Sequence, residues 1–357
     1  MIKTLLSWVD ERNIKPVISN NIDAISFLQE NSKYVDWMAL SRNPNAIDML
    51  FKNINRIHWR ELSRNTSPDV TKLLEYYANV RETYYYYYYY RERMMDYFDA
   101  GNSLDLCELS KNPSAVPFLE KHPEYIDWRG LSGNINAISI LEKNLDKEIN
   151  WWALSSNINA ISILEKNMDK VNWRGLSRNV NAIPILEKNL DNIDWENLSW
   201  NINAIPILEK NLNKRIHWWS LSGNINAISI LEKNLDKIDS VRLSSNENAI
   251  SILEKNLDKV DWRYLSRNVN AISILEKNLD KVHWYALSGN RNAISILEKN
   301  QDKIDWEEFS YNKGIFVCDY KYYKKRMDVH RVELMKKVFS ERRISYYLEM
   351  GYDLNNM

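Results

Sequence analysis

Apolar and polar positions along this chain recur on one long period. The dipeptide Leu-Ser begins at Leu131, Leu154, Leu176, Leu198, Leu221, Leu243, Leu265 and Leu287, and Phe309-Ser310 takes the next slot, in steps of 22 or 23 residues. Upstream the same slot falls at Ile18, Leu40, Leu62 and Leu109. Self-similarity at such a period marks a repeat architecture and overrides the two-domain prior that 357 residues would suggest. One step is irregular. Leu62 to Leu109 spans 47 residues, two periods plus a few extra, and contains seven consecutive tyrosines, Tyr84 to Tyr90.

Within a unit the pattern predicts two short helices. In "DWENLS", Asp194 suits an N-cap, and Trp195 and Leu198 fall on one helical face. Polar, cap-prone residues from Ser199 to Asn203 then break the helix. In "NAIPILEKN", Asn203 is expected to cap a second helix carrying Ile205, Leu208 and Leu212 inward, with Ala204 beside them. Pro184 and Pro206 fit its first turn, and Asn211 suits a left-handed residue ending it. A leucine-rich repeat has a similar period, but "AISIL" is followed by Glu-Lys-Asn, without the Leu and Asn spacing its strand needs.

A helix pair this short cannot bury its apolar stripe alone and must stack on its neighbours. The fold class expected is all-α: an α-solenoid of about a dozen two-helix repeats, with one irregular repeat and a helical C-terminal cap. With helices roughly 8–10 Å apart, it would be a curved rod on the order of 100 Å long. The divisions expected along one continuous solenoid are an N-terminal cap and first repeats over 1–66, a lengthened repeat over 67–104, regular repeats over 105–313 and the cap over 314–357.

Some columns hold and others change. Ten of the 14 tryptophans stand three residues before the Leu of Leu-Ser: Trp37, Trp59, Trp128, Trp151, Trp173, Trp195, Trp218, Trp262, Trp284 and Trp306. Such a stripe reads as core packing, with a base-stacking platform as the alternative. Asn134 and Asn136 read as turn amides that satisfy backbone groups of a neighbouring unit. The residue after the column Trp and the residue after Leu-Ser lie four apart, on one face of the first helix. That face carries Arg42, Arg60, Arg64, Arg129, Trp152, Arg174, Arg178, Trp200, Trp219, Arg263, Arg267, Tyr285 and Tyr311. These are residue types enriched at binding hot spots, which makes them the candidate partner-binding set.

Composition narrows the function classes. Lys plus Arg and Asp plus Glu each number 48, so no net charge draws the molecule to nucleic acid or an anionic membrane. Cys107 and Cys318 are in no metal or redox spacing. No apolar run reaches the roughly 18 residues of a membrane span or forms a signal-peptide core, so an intracellular protein without membrane insertion is expected. No phosphate loop, nucleophile elbow or metal-ligand spacing occurs, and no catalytic residue, cofactor or metal is expected. Arginines among aromatics also suit nucleic-acid contact. Against that stand Glu196 and Glu307 on the same face, which leaves a protein partner favoured. The basic tail, with Lys324, Lys325, Arg326, Lys336, Lys337, Arg342 and Arg343, reads as a solvated cap or a patch for an acidic surface.

The unit "LSxNxNAIxILEKNxDKIDW", with the ending "KKVFSERRISYYLEMGYDL", resembles a family of repeat proteins of giant DNA viruses of amoebae. The ending departs from that family at Ser340-Glu341, where a His-Pro is common. Abundant Asn, Ile, Lys and Tyr, all with AT-rich codons, agree with such an origin. The resemblance implies a viral protein of the host cytoplasm or viral factory, with a place in the virion also open, and implies no enzymatic activity. The tyrosine tract reads as a lengthened part of one divergent unit, or as an exposed aromatic binding patch.

Overall fold

The computed structural model describes residues 3–88 and 103–318, with positions 324 and 327 besides. Among them, helix follows helix in the expected order, and strand is confined to β1, Lys3–Leu5, and β2, Phe316–Cys318. In a representative unit, Asp194 accepts from the Asn197 N–H at 2.9 Å and opens the helix Trp195–Leu198. The side chains of Asn150 and Asn172 do the same in their units, so an amide replaces the carboxylate without loss of the cap.

The second helix differs from the sequence expectation in three details. It runs Ile205–Lys210, with Pro206 in its first turn, and Asn203 does not cap it. Asn203 instead donates from Nδ2 to the Val180 carbonyl of the preceding unit at 2.9 Å. Asn211 has φ −131°, not a left-handed value, and donates from Nδ2 to the Ile207 carbonyl at 2.8 Å. A side chain that satisfies the last-turn carbonyl removes the need for a left-handed stop. The helix is then too short to include Leu212, which lies past its end and is exposed; Ala204, Ile207 and Leu208 fill the core.

Two polar ladders join the units. The side-chain amide of Asn201 donates to the Ser177 carbonyl at 3.1 Å and the Asn179 carbonyl at 2.9 Å, while its Oδ1 accepts from the Asn203 N–H. Ser177 Oγ donates to the Trp173 carbonyl and accepts from the Asp194 N–H at 3.0 Å. Both N–H donors and the oxygen of a buried amide are thus engaged, as burial requires. Equivalent asparagines stand at Asn21, Asn43, Asn65, Asn112, Asn134, Asn157, Asn179, Asn201, Asn224, Asn246, Asn268, Asn290 and Asn312, thirteen among the described residues, all buried.

The ladder does not end. Asn21, in the first unit, donates to the carbonyls of Ser310 at 3.4 Å and Asn312 at 3.1 Å, in the last. The Lys15 N–H reaches Ser310 Oγ at 3.1 Å, the bond made at every internal seam. Antiparallel pairing of β1 with β2, with Lys3 opposite Cys318 and Leu5 opposite Phe316, clasps the junction. Trp8 packs on Phe309 at 5.6 Å between ring centroids, Phe27 on Phe316 at 6.3 Å, and Lys3 pairs with Asp23 at 2.8 Å. The solenoid is therefore a closed ring of thirteen units, and the expected open rod is corrected. The first and last units cover each other's apolar faces, the task a separate cap would perform.

Most consecutive first helices pack closely, whereas the regular second helices diverge, so the first helices line the concave side. Thirteen helices about 9 Å apart lie on a circle about 120 Å in circumference, leaving an opening about 25 Å across once helix thickness is removed. The irregular step is a single unit, not two periods. Asn112 bonds directly to the carbonyls of Ser63 and Asn65, so the units on either side of the 47-residue step are neighbours. The helix Val70–Tyr88 fills the second-helix slot, with Val70, Leu73 and Leu74 buried, and extends far beyond the usual length. Tyr84 to Tyr88 belong to it; the rest of the tyrosine tract lies outside the described residues. So does most of the expected C-terminal cap, of which the described start is the turn Lys313–Ile315 and β2 rather than helix.

Candidate functional site

At 100° per residue, the variable pair of a first helix, such as Glu196 and Trp200, lies opposite the core residue Leu198. Leu198 faces the second helices, so the variable pair faces the concave side of the ring. The neighbouring column Trp is half-buried against the core. Its remaining face is covered by the Lys of the "DK" turn, as with Lys303 at 4.7 Å from the Trp284 ring and Lys237 at 5.0 Å from Trp218. Those lysines do more than solvate an outer face.

A third column, missed in the sequence reading, decides how the concave face is wired. It stands two residues after the column Trp and holds Glu61, Glu108, Gly130, Gly175, Arg242, Tyr264 and Glu308, varying while the frame stays fixed. That variability was the available signal. Glu61, Glu108, Gly130, Gly175 and Arg242 meet the first helix of the preceding unit. Arg42 donates to Glu61 from Nε at 2.9 Å, and Arg64 bridges Glu61 at 3.4 Å and Glu108 at 3.2 Å. Burial pushes the Glu61 carboxyl up, but Arg42 and Arg64 together outweigh it and hold it below its usual range. Lys111 and Arg64 likewise lower Glu108 against its burial.

The other arginines divide into two groups. Arg60 lies 3.7 Å from Asp105, Arg129 3.3 Å from Glu148, and Arg267 3.2 Å from Glu308. Arg267 also lies over the Tyr285 ring at 5.9 Å, and a hydrogen bond to Glu308 raises the Tyr285 hydroxyl. Among the described residues, Arg174, Arg178, Arg242 and Arg263 have no carboxylate within 4.0 Å. Glycines set the spacing between first helices. A Cβ on Gly175 would meet the Trp152 carbonyl at 2.5 Å, and one on Gly130 the Cys107 carbonyl at 2.6 Å. These are places where adjacent first helices approach most closely.

Aromatics of the set remain open. Trp152 is 47% exposed and Trp219 41%, and Tyr285 and Tyr311 are comparable. Burial, then Glu307 and Glu308, raises the Tyr311 hydroxyl. Trp200 is half-buried, edge-to-face with Trp219 at 5.3 Å, and the Arg178 guanidinium sits 5.6 Å from its ring. The structure thus joins Arg178, Trp200 and Trp219 into one cluster and distributes the other candidates around the ring. Among the described residues, no group of three His, Cys, Asp or Glu is placed to hold a metal, and no helix is long and apolar enough to cross a membrane.

The chain matches no family model, no curated protein and no solved structure.

Proposed function

We propose that the ring is a non-enzymatic scaffold that binds a protein partner along its concave face. The observation that carries this reading is the exposure of Trp152 and Trp219 on a face that also carries arginines and tyrosines. Large aromatics left in water on a soluble surface are unfavourable unless a partner covers them, and Trp, Tyr and Arg dominate interface energetics. Nucleic acid is less well served, because most arginines here already have carboxylate partners and Glu196 and Glu307 share the surface. The repeat's likeness to giant-virus proteins supports a viral origin and a host-cytoplasm or viral-factory setting.

The test is the triple replacement of Arg178, Trp200 and Trp219 by Ala. Affinity purification from infected cells should recover a protein with the native chain and lose it with the variant. Helicity and melting temperature should stay nearly unchanged. If the variant unfolds instead, the face is core and the proposal fails. Salt-sensitive retention of DNA or RNA in place of protein would replace it with nucleic-acid binding.

A further inference from the structure

We infer that Arg178, Trp200, Trp219 and Arg242 form an anchor for the carboxylates of an acidic peptide segment, which rests on the concave face being the protein-binding surface. Arg242 comes from the third column of the neighbouring unit. Its guanidinium lies 3.7 Å from the centroid of Trp219 and 4.9 Å from that of Trp200, against the edge-to-face indole pair. Arg178 approaches Trp200 from the preceding unit. Stacking on an indole orients the planar guanidinium and leaves its N–H edge for an acceptor, the geometry that suits bidentate carboxylate binding.

Two observations show that the cluster lacks an acceptor among the described residues. On this face Arg42, Arg60, Arg64, Arg129 and Arg267 are answered by the chain's own acids, whereas Arg174, Arg178, Arg242 and Arg263 have none within 4.0 Å among the described residues, and of these four Arg178 and Arg242 are the two seated against the indole pair. Among the described residues the buried Nε of Arg242 has no hydrogen-bond partner, a condition folded proteins rarely leave unmet.

The surroundings favour peptide over phosphodiester. Exposed Glu196 lies one turn from Trp200, and the unit that supplies Arg242 presents Val241 and Ser245, which interrupts the arginines between Arg178 and Arg263. A regularly charged polymer needs a continuous basic track, whereas one or two carboxylates flanked by apolar side chains suit two guanidiniums set among indoles.

The probe is a fluorescein-labelled octapeptide of alternating Glu and Phe, with a Lys–Phe counterpart, read by fluorescence anisotropy. The Glu peptide should bind and the Lys peptide should not. Arg242→Gln and Trp219→Ala should each weaken binding at least about tenfold, and Lys255→Ala on a second helix should leave it unchanged. Arg242→Lys, which keeps the charge and loses the fork, should fall between, and thermal melts confirm that each variant is folded. The anchor is overturned if the two peptides bind alike, or if Arg242→Gln and Trp219→Ala bind as the native chain does. If binding instead depends on Trp152 or Arg60, the anchor alone fails and the concave-face proposal stands. If a duplex DNA competes through Arg242, both the peptide assignment and the protein-partner proposal fail.

Discussion

Ring closure can be tested with one new cysteine. Lys3 stands directly opposite native Cys318 in the β1–β2 pair. Directly opposed Cα atoms in an antiparallel pair are about 4.5 or 5.5 Å apart, within the roughly 4.4–6.8 Å that a disulfide spans. Lys3→Cys, in a Cys107→Ser background, should therefore form an intramolecular bridge under mild oxidation. Closing a loop of about 316 residues removes about 19 cal/mol/K from the unfolded chain in the loop-entropy model, an upper limit of about 5–6 kcal/mol at 25 °C. With an unfolding entropy of about 2.1 cal/mol/K per residue, that corresponds to about 7 °C in melting temperature. The assay compares oxidised and reduced forms of the same variant, which cancels the loss of the Lys3–Asp23 pair. Non-reducing electrophoresis should show a compact monomer, thiol titration should find no reactive cysteine, and the melt should rise on oxidation. An open rod would hold the two ends on the order of 100 Å apart. Two persisting thiols, or disulfide-linked dimers alone, would refute closure.

Two further outcomes follow from the concave face. Gly175→Ala should destabilise the ring by about 1–3 kcal/mol because its Cβ meets the Trp152 carbonyl, whereas Gly133→Ala, with its nearest contact at 3.7 Å, should be neutral or gain up to about 1 kcal/mol; equal effects in urea unfolding would contradict the spacing role. Glu61→Gln should cost about 1–3 kcal/mol at neutral pH through its weakened bonds to Arg42 and Arg64. Because the Glu61 carboxyl is held below its unfolded value, its contribution is complete above the ordinary glutamate range and is lost as pH falls through the folded value. The gap between native and variant stability should thus close in acid, and a gap that persists unchanged would exclude the ion-pair account.

Much of the unit was legible because it is local. The cap at Asp194, the inward Leu198 and Ala204, and the Pro206 placement each depend on neighbours within one turn. The amides of Asn134 and Asn136 also met their expected role, bonding backbone of the preceding unit. Closure was not legible. It depends on a small rotation per unit accumulating over thirteen seams, and on Asn21 meeting Ser310 across 289 residues. The variable face was found from its four-residue spacing, but Arg242 was not, since its meaning arises only when stacking of the units lays it across Trp219. The 47-residue step was read as one lengthened repeat from its single irregular interval, and Asn112 bonding to Ser63 and Asn65 agrees with one stacking position there.

The Asn21–Ser310 bond changes how such an array loses its structure. In a linear stack the terminal repeats have one neighbour each and fray first, so amide hydrogen exchange is fastest at the ends. A ring of thirteen has no terminal member, and the first unit to open must break two interfaces at once. Exchange protection should then be level around the circle, with unfolding more nearly all-or-none than chain length alone suggests. A cut in the backbone at any one turn would leave every interface in place.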